Sequence, residues 1–269
     1  STFMVRKYLS KIYMGIIFIF LYAPIVVLAV FSFNESKSRG HWTGFSLKWY
    51  IELFHDQDIR MAFYYTITIA IITAIVSTIL GTIAAIGINA MKGRQKALIL
   101  NVNYLPVVNP DIVTGISLMI LYISFNMDFG FNTMLLSHIV FSIPYVILSI
   151  LPKLKQLDVH MTEAAMDLGA TPMYALRKVI IPEIKPGIIT GFLMAFTLSI
   201  DDFIISYFTK GEGVTNLSII IYSMARRGVR PTINALSTIM LIVVLLLMIL
   251  INKRANGHDK SKNINRSEV

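Results

Sequence analysis

The chain contains no cysteine and few charged residues. Charged side chains make up 14% of its 269 residues, whereas soluble domains average about 25%. The absence of cysteine excludes a disulfide framework and any thiolate metal site or nucleophile. The five histidines show no metal-ligand spacing such as His-x-x-x-His, and no nucleophile motif occurs. We therefore expect no metal site, no cofactor bound by this chain and no enzymatic activity of its own.

The sequence consists mainly of hydrophobic runs, and 55% of its residues are hydrophobic. A spanning helix needs about 20 apolar residues. Six runs meet this length, at residues 12–33, 61–91, 97–127, 131–151, 187–209 and 233–252. We predict an all-α polytopic membrane protein with six transmembrane helices, forming a single domain over residues 1–269. The first run is too long for the apolar core of a signal peptide, which favours an uncleaved span.

Lysine and arginine give the orientation. With the N-terminus inside, the inner segments hold 16 of the 24 basic residues, which predicts that both termini are cytoplasmic. The arginines at 226, 227 and 230 then lie outside, against the trend. The same bias explains the net charge of +9 without nucleic acid as a partner. The protein is expected to lie in a membrane, in contact with the lipid bilayer.

The outer loop at 34–60 carries Trp42, Trp49 and Tyr50 among mixed charges. Such aromatic residues are typical of the membrane–water interface, where they act as anchors. A docking surface on the extracytoplasmic side is the alternative. The sequence supports both interpretations equally.

A charged interruption at 152–186 contains a helical hairpin, which we place at 157–182. The first helix, 157–168, ends at Gly169, because glycine adopts the left-handed conformation without a Cβ penalty. Thr171 is placed to cap a second helix, 173–181, with Pro172 in its first turn. Pro182 and Pro186 are expected to break or bend it. On helix chemistry alone, the hairpin is either a connector or a surface that contacts another protein.

This hairpin resembles the cytoplasmic loop signature of binding-protein-dependent ABC importer permeases. The matching pattern is Glu-Ala-Ala, three residues, Gly169, nine residues, then an aliphatic-x-aliphatic-Pro group ending at Pro182. The resemblance covers essentially the whole chain and implies the type I ABC importer permease fold. It also implies that the hairpin couples to an ATPase through Glu163, Ala164, Ala165, Asp167, Gly169 and Pro182.

The resemblance also implies partners. No Gly-x-x-x-x-Gly-Lys-Ser/Thr phosphate loop occurs, so a dimer of cytoplasmic ATP-binding subunits is expected to supply ATP and Mg²⁺. One six-helix chain offers half of the usual twelve-helix pathway, so a second permease chain is expected, either a copy of this chain or a different subunit. The family resemblance also implies the bacterial plasma (inner) membrane. An extracytoplasmic binding protein is expected to deliver the solute.

Two carboxylates stand in or near the fifth run. A charge at the centre of a span costs about 2.5–3.5 kcal/mol, so Asp201 and Asp202 are candidates for a substrate pathway, with Ser199 beside them. Adjacent residues on a helix point about 100° apart, so at most one of the two faces a pathway squarely. The alternative is that the helix ends near Ile200 and leaves an ordinary helix-end pair.

Asp111 is the second candidate. Pro106 and Pro110 must disturb the third helix, and a broken helix with a carboxylate at the break can line a cavity. The alternative is a kink in which Asp111 caps the outer half-helix. By contrast, Ser77, Gly81 and Ala85 recur every four positions in the second run and predict close helix packing.

Carboxylates along a pathway favour a cationic substrate. The segments Asn109-Pro110-Asp111-Ile112, Ser199-Ile200-Asp201-Asp202 and 44–50 resemble the spermidine/putrescine importers within this family, which implies polyamine import. The resemblance to polyamine importers also favours a heterodimer of two permease subunits. The alternatives are another small solute carried by the same class, or an ion-coupled secondary transporter using the same aspartates. The sequence shows no convincing repeat of the kind common in secondary transporters.

Overall fold

The computed structural model describes residues 2–37, 40–228 and 230–266. Within these ranges the chain is helical, and its β pairing is one isolated bridge between Asn34 and Phe45. The described residues form two compact units. The first comprises residues up to Arg60 together with Ile221–Leu246, and the second comprises Met61–Ile220 and the residues from Leu247 onward. The prediction of a single domain stays a prediction.

The described ranges hold twelve α-helices and one π-helical turn, Leu176–Ile180. In chain order the α-helices are α1 (Thr2–Phe31), α2 (Lys48–His55), α3 (Gln57–Ala90), α4 (Gly93–Val108), α5 (Asp111–Ser124), α6 (Phe131–Lys155), α7 (Val159–Asp167), α8 (Pro172–Ala175), α9 (Ile181–Asp201), α10 (Ile204–Thr209), α11 (Leu217–Arg227) and α12 (Pro231–Arg266).

Five helical segments of the described chain are long and apolar enough to cross a membrane: they lie in α1, α3, α6, α8 to α9, and α12. The predicted third span is divided between α4 and α5, which are bent by 105° and count together as the sixth. Asn109 and Pro110 both have extended backbone conformations at this break. Asn109 is extended because the ring of the following proline disfavours the helical region. Pro110 has no N–H to donate to a helical hydrogen bond. The predicted disturbance of this helix is therefore present, as a sharp break.

In the first unit, the loop between α1 and α2 is closed by its own polar groups. The Asn34 side chain donates to the His41 carbonyl (3.0 Å) and accepts from the Thr43 amide (2.8 Å). Trp49 is buried and donates its indole N–H to the Asn34 carbonyl at 2.6 Å, while the Tyr50 hydroxyl lies 2.7 Å from the Ser32 hydroxyl. Trp49 and Tyr50 thus support the loop internally, whereas Trp42 is exposed.

In the second unit, α6 packs against small residues of both α3 and α9. A Cβ added at Gly81 would lie 2.6 Å from Cγ1 of Val146, and one at Gly191 would lie 3.0 Å from the same atom. Ser77 and Ala85 are also buried, and the Ser77 hydroxyl donates to the Ile139 carbonyl of α6. The predicted packing stripe of α3 is therefore present, and a second stripe of Gly187, Gly191 and Ala195 follows α9.

Replacing Gly81 with leucine is expected to lower the melting temperature of the detergent-solubilised protein by about 5 °C, because overpacking costs about 1–3 kcal/mol. The clash falls on two Val146 side-chain atoms, Cγ1 at 2.6 Å and Cβ at 2.8 Å. Val146→Ala removes only Cγ1, so the double change Gly81→Ala with Val146→Ala should recover part of the stability lost by Gly81→Ala alone. Gly87→Leu is the matched control, because a Cβ there meets nothing within 4 Å. Equal losses at both glycines, measured by thermal-shift size exclusion, would contradict this account.

Candidate coupling hairpin and intramembrane polar site

The first arm of the hairpin is α7, whose two ends are both capped. Asp158 accepts a hydrogen bond from the His160 amide at 3.0 Å and starts the helix. Gly169 follows the helix with φ +89°, where a side chain is strained. The Gly169 amide donates to the Met166 carbonyl and the Ala170 amide to the Ala165 carbonyl, the two bonds of a Schellman motif. The expected glycine stop is present.

The second arm begins as predicted and ends differently. Thr171 caps α8, accepting from the Tyr174 amide at 3.3 Å, and Pro172 occupies the first turn. The predicted end of the second helix at 181 is wrong, because a π-helical turn leads directly into α9, and Pro182 lies in the first turn of that helix. The chain is therefore not broken at Pro182, and a bend there stays a prediction. Proline is tolerated there, since its missing N–H is not needed. Pro186 likewise lies inside α9.

The candidate coupling residues are largely accessible on the hairpin. The side chains of Glu163, Ala164, Asp167 and Pro182 are exposed, and Ala165 is half-buried. Glu163 lies 3.2 Å from the His160 ring, with both side chains in solvent. Leu168, at the turn, is 90% exposed. An open apolar depression surrounds this turn, lined by Ala165, Leu168, Gly169, Ala170, Thr171 and Tyr174.

The intramembrane site is a break between α9 and α10. The fifth span was expected to continue to Thr209, but α9 ends at Asp201 and Asp202 is extended (φ −64°, ψ 122°). The aspartates therefore stand at a helix end, as the alternative interpretation had it. Side chains donate hydrogen bonds to backbone carbonyls at the break. The side-chain amide Nδ2 of Asn216 donates to the Asp202 carbonyl at 2.9 Å, and the hydroxyl of Ser218 donates to the Ile200 carbonyl at 3.1 Å.

The two aspartates differ in their surroundings. Asp201 is exposed, whereas the Asp202 side chain is 9% exposed. Asp202 accepts from the Ile205 amide at 3.2 Å and, at 2.7 Å each, from the amide and the hydroxyl of Ser206. Its carboxylate thus closes the first turn of α10, while Asp201 leaves its carboxylate accessible.

His138 of α6 joins this network from the opposite side. Its Nδ1 lies 2.7 Å from the Ser199 hydroxyl and its Nε2 lies 2.7 Å from the Ser206 hydroxyl, with Asp202 Oδ2 at 3.4 Å. His138 and Asn216 were missed as functional candidates in the sequence. His138 is a lone histidine in an uncharged run, and an ionisable residue inside a span is the signal that marks it.

Asp111 is the first residue of α5, immediately after the break with α4, and its side chain is exposed. Tyr122, near the other end of α5, has its hydroxyl 2.7 Å from that of Ser137, which is next to His138 on α6. Asp111 precedes Tyr122 by eleven residues, roughly 16 Å along a helix. Asp111 and the Asp201–Asp202 pair therefore lie at different levels of the same unit.

The capped surface hairpin, the broken helices and the buried polar network belong to a helical membrane protein with five or six candidate spans in the described residues. The family model described as "Binding-protein-dependent transport system inner membrane component" matches residues 77–256. The chain belongs to this family. It is a permease subunit of an ABC importer and an inner membrane component, and it is not an enzyme.

Named relatives match nearly the whole chain. The spermidine/putrescine transport system permease protein PotC of Escherichia coli K12 is 37% identical over 96% of this chain and 97% of its own length. The protein of the same name in Haemophilus influenzae is 36% identical over 95% of this chain and its whole length. The putrescine transport system permease protein PotI of E. coli K12 is 41% identical over 83% of this chain and 82% of its own length.

Solved structures show the same fold at low identity. A bacterial ABC transporter involved in the import of the acidic polysaccharide alginate matches with a TM-score of 0.74 and 16% identity, covering 93% of this chain and 96% of that one. The MetNI methionine ABC transporter in an inward-facing conformation matches with a TM-score of 0.58 and 18% identity, covering 74% and 92%. The type I ABC importer permease fold predicted from the sequence is confirmed.

Proposed function

We propose that this chain is a permease subunit of an ATP-driven importer for polyamines of the spermidine and putrescine type. The observation that carries the proposal is the match, at 37% identity over 96% of the chain, to permeases named for these solutes. Polyamines are flexible chains with separated positive charges. A pathway that carries them inward needs acceptor groups at more than one level.

The substrate pathway is proposed to use Asp111 and Asp201 directly. Both carboxylates are exposed in the described chain and both follow or end a broken helix, where irregular backbone at membrane depth is tolerated when it lines a cavity. Their separate levels suit a substrate with spaced ammonium groups. Asp202 and Ser199 are proposed to hold the shape of the same site, because both side chains are engaged in hydrogen bonds within it.

The hairpin at 157–182 is proposed to couple this chain to a cytoplasmic ATPase dimer, which binds ATP and Mg²⁺. Its exposed apolar turn around Leu168, beside the small residues Ala164 and Ala165, suits insertion into a cleft of a partner. The Schellman motif at Gly169 and the cap at Thr171 fix the angle between the two arms. A rigid hairpin transmits a push from the ATPase into α9, because helical conformation continues from α8 to Asp201.

The remaining partners are a second permease subunit, forming a heterodimer, and an extracytoplasmic polyamine-binding protein. Both termini are proposed to be cytoplasmic, which places the hairpin on the ATPase side. The segment 34–60 then faces the binding protein or the outer interface.

Copurification with functional reconstitution tests this proposal. A tagged chain should bring down an ATP-binding subunit and a second permease, and the complex in liposomes should hydrolyse ATP faster when the cognate binding protein carries spermidine or putrescine. Sulfate and a neutral sugar serve as control solutes. Uptake that needs no ATPase and collapses with a protonophore would favour the secondary transporter instead, and stimulation by a control solute alone would change the substrate class.

A further inference from the structure

The strongest unassigned feature is the buried histidine of α6. His138 is 2% exposed and its two ring nitrogens contact serines on opposite sides of the break, Ser199 in α9 and Ser206 in α10. Both serines are themselves buried. One side chain of α6 therefore bridges the two helical pieces that the break separates.

Donor and acceptor counting shows how specific this arrangement is. A serine hydroxyl has one proton and two acceptor positions. Ser206 Oγ lies 2.7 Å from Asp202 Oδ2, 2.7 Å from His138 Nε2 and 2.8 Å from Asn216 Nδ2. Because the ionised carboxylate takes the single proton, the histidine and the amide must both donate. His138 therefore carries its proton on Nε2.

The orientation of Asn216 is fixed independently. Its Oδ1 accepts from the Ile219 amide at 2.9 Å, so its nitrogen faces the Asp202 carbonyl and Ser206. The Ser199 hydroxyl lies 2.7 Å from Nδ1, on the other side of the ring. Every contact of the ring is used, and neither alanine nor an aliphatic residue can replace it.

We infer that His138 is a positioning residue for the proposed polyamine pathway. By hydrogen bonding from α6 to both sides of the break, it holds the Asp202 carboxylate in the buried network and keeps the Asp201 carboxylate accessible. This inference rests on the proposed function of Asp201. His138 itself is buried and does not touch the substrate. It acts through the backbone turn at Asp202, whose conformation decides where the adjacent Asp201 carboxylate lies.

The test is a double-mutant cycle on radiolabelled spermidine uptake by the complete transporter in liposomes, normalised to the amount of assembled complex. Asp201→Asn and His138→Ala should each lower uptake about tenfold, the scale of one lost charge-assisted interaction. The double variant should be no worse than Asp201→Asn alone, because His138 acts through Asp201. A full multiplication of the two losses would overturn the inference.

Two further variants separate positioning from general stability. Glutamine at 138 has an amide nitrogen near the place of Nε2, so His138→Gln should return uptake to within about threefold of wild type. Ser142→Ala is the matched control: this serine is buried on the same helix, and its hydroxyl has no hydrogen-bond partner among the described residues. Wild-type uptake should persist there.

The outcomes are distinguishable. If His138→Ala lowers only the yield of complex and leaves uptake per complex unchanged, the residue is merely structural and the inference fails. If Asp201→Asn itself has no effect, the proposed pathway fails and takes the inference with it. The spermidine-to-putrescine uptake ratio is a second readout, and it should change in His138→Ala and not in Ser142→Ala.

Discussion

Replacing Gly169 with aspartate is expected to reduce ATP-driven uptake to background while the chain still reaches the membrane. Gly169 has φ +89°, and the amides of Gly169 and Ala170 close the Schellman motif that ends α7. A Cβ at this position meets nothing within 4 Å, so the damage is conformational and not a steric clash. A non-glycine residue held in the left-handed region costs about 1–3 kcal/mol. The hairpin should therefore open and misplace its exposed turn.

A series at the same position separates conformation from chemistry. Asparagine and aspartate both tolerate the left-handed region better than a β-branched residue, so Gly169→Asn should retain far more uptake than Gly169→Val. A larger loss in Gly169→Asp than in Gly169→Asn would then report the added charge. The measurements are polyamine uptake, membrane abundance and copurification of the ATPase. If all three variants transport equally well, the shape of the hairpin does not matter for coupling.

Charge reversal at Glu163 should have a comparable effect by a different route. Glu163 is exposed on α7 and lies 3.2 Å from the similarly exposed His160, so no buried contact of the chain is lost in Glu163→Lys. Lost uptake would then report on a partner surface. Asp128→Lys is the control, because Asp128 is exposed in the loop between α5 and α6, away from the hairpin. Wild-type uptake in Glu163→Lys would remove the proposed ATPase contact.

The hairpin was largely predictable because its signals are local. The signals are the helix stop at Gly169, the cap at Thr171 and the first-turn proline Pro172. Each acts within four residues of its position, so the spacing in the sequence is enough to predict its effect. The end of the second helix before Pro182 was predicted wrongly for the opposite reason, because it depends on more than local signals. Whether a proline ends a helix depends on the turn before it, and no residue pattern at 176–180 announces the π-helical turn.

The intramembrane site was predictable only in part. Carboxylates in or near a span are conspicuous, so Asp111, Asp201 and Asp202 could be selected from the sequence. The different roles of Asp201 and Asp202 could not be predicted, because they depend on His138, a side chain from another helix. Ser199 meets His138 at a separation of 61 positions, and Asn216 reaches back from beyond α10. Contacts of this kind come from packing α6 against α9, which no local pattern encodes.

The two aspartates should respond differently to the same change. Asp201→Asn removes an exposed charge and no hydrogen bond of the described network, so membrane abundance should stay normal while spermidine uptake falls about tenfold. Asp201→Glu keeps the charge and should retain most of the uptake. Asp128→Asn, in the exposed loop after α5, is the control and should transport normally.

Asp202→Asn should instead damage the fold. Both Asp202 oxygens accept hydrogen bonds, Oδ1 from the Ile205 amide and Oδ2 from the Ser206 amide and hydroxyl. An asparagine must turn an NH₂ group toward one of these donors, which costs about 2 kcal/mol for a bond to a charged group. Abundance and thermal stability should therefore fall together with uptake. Unchanged uptake in both variants would return the pair to an ordinary helix end, whereas equal stability losses would mean that Asp201 also serves the fold and that the pathway must be sought at Asp111.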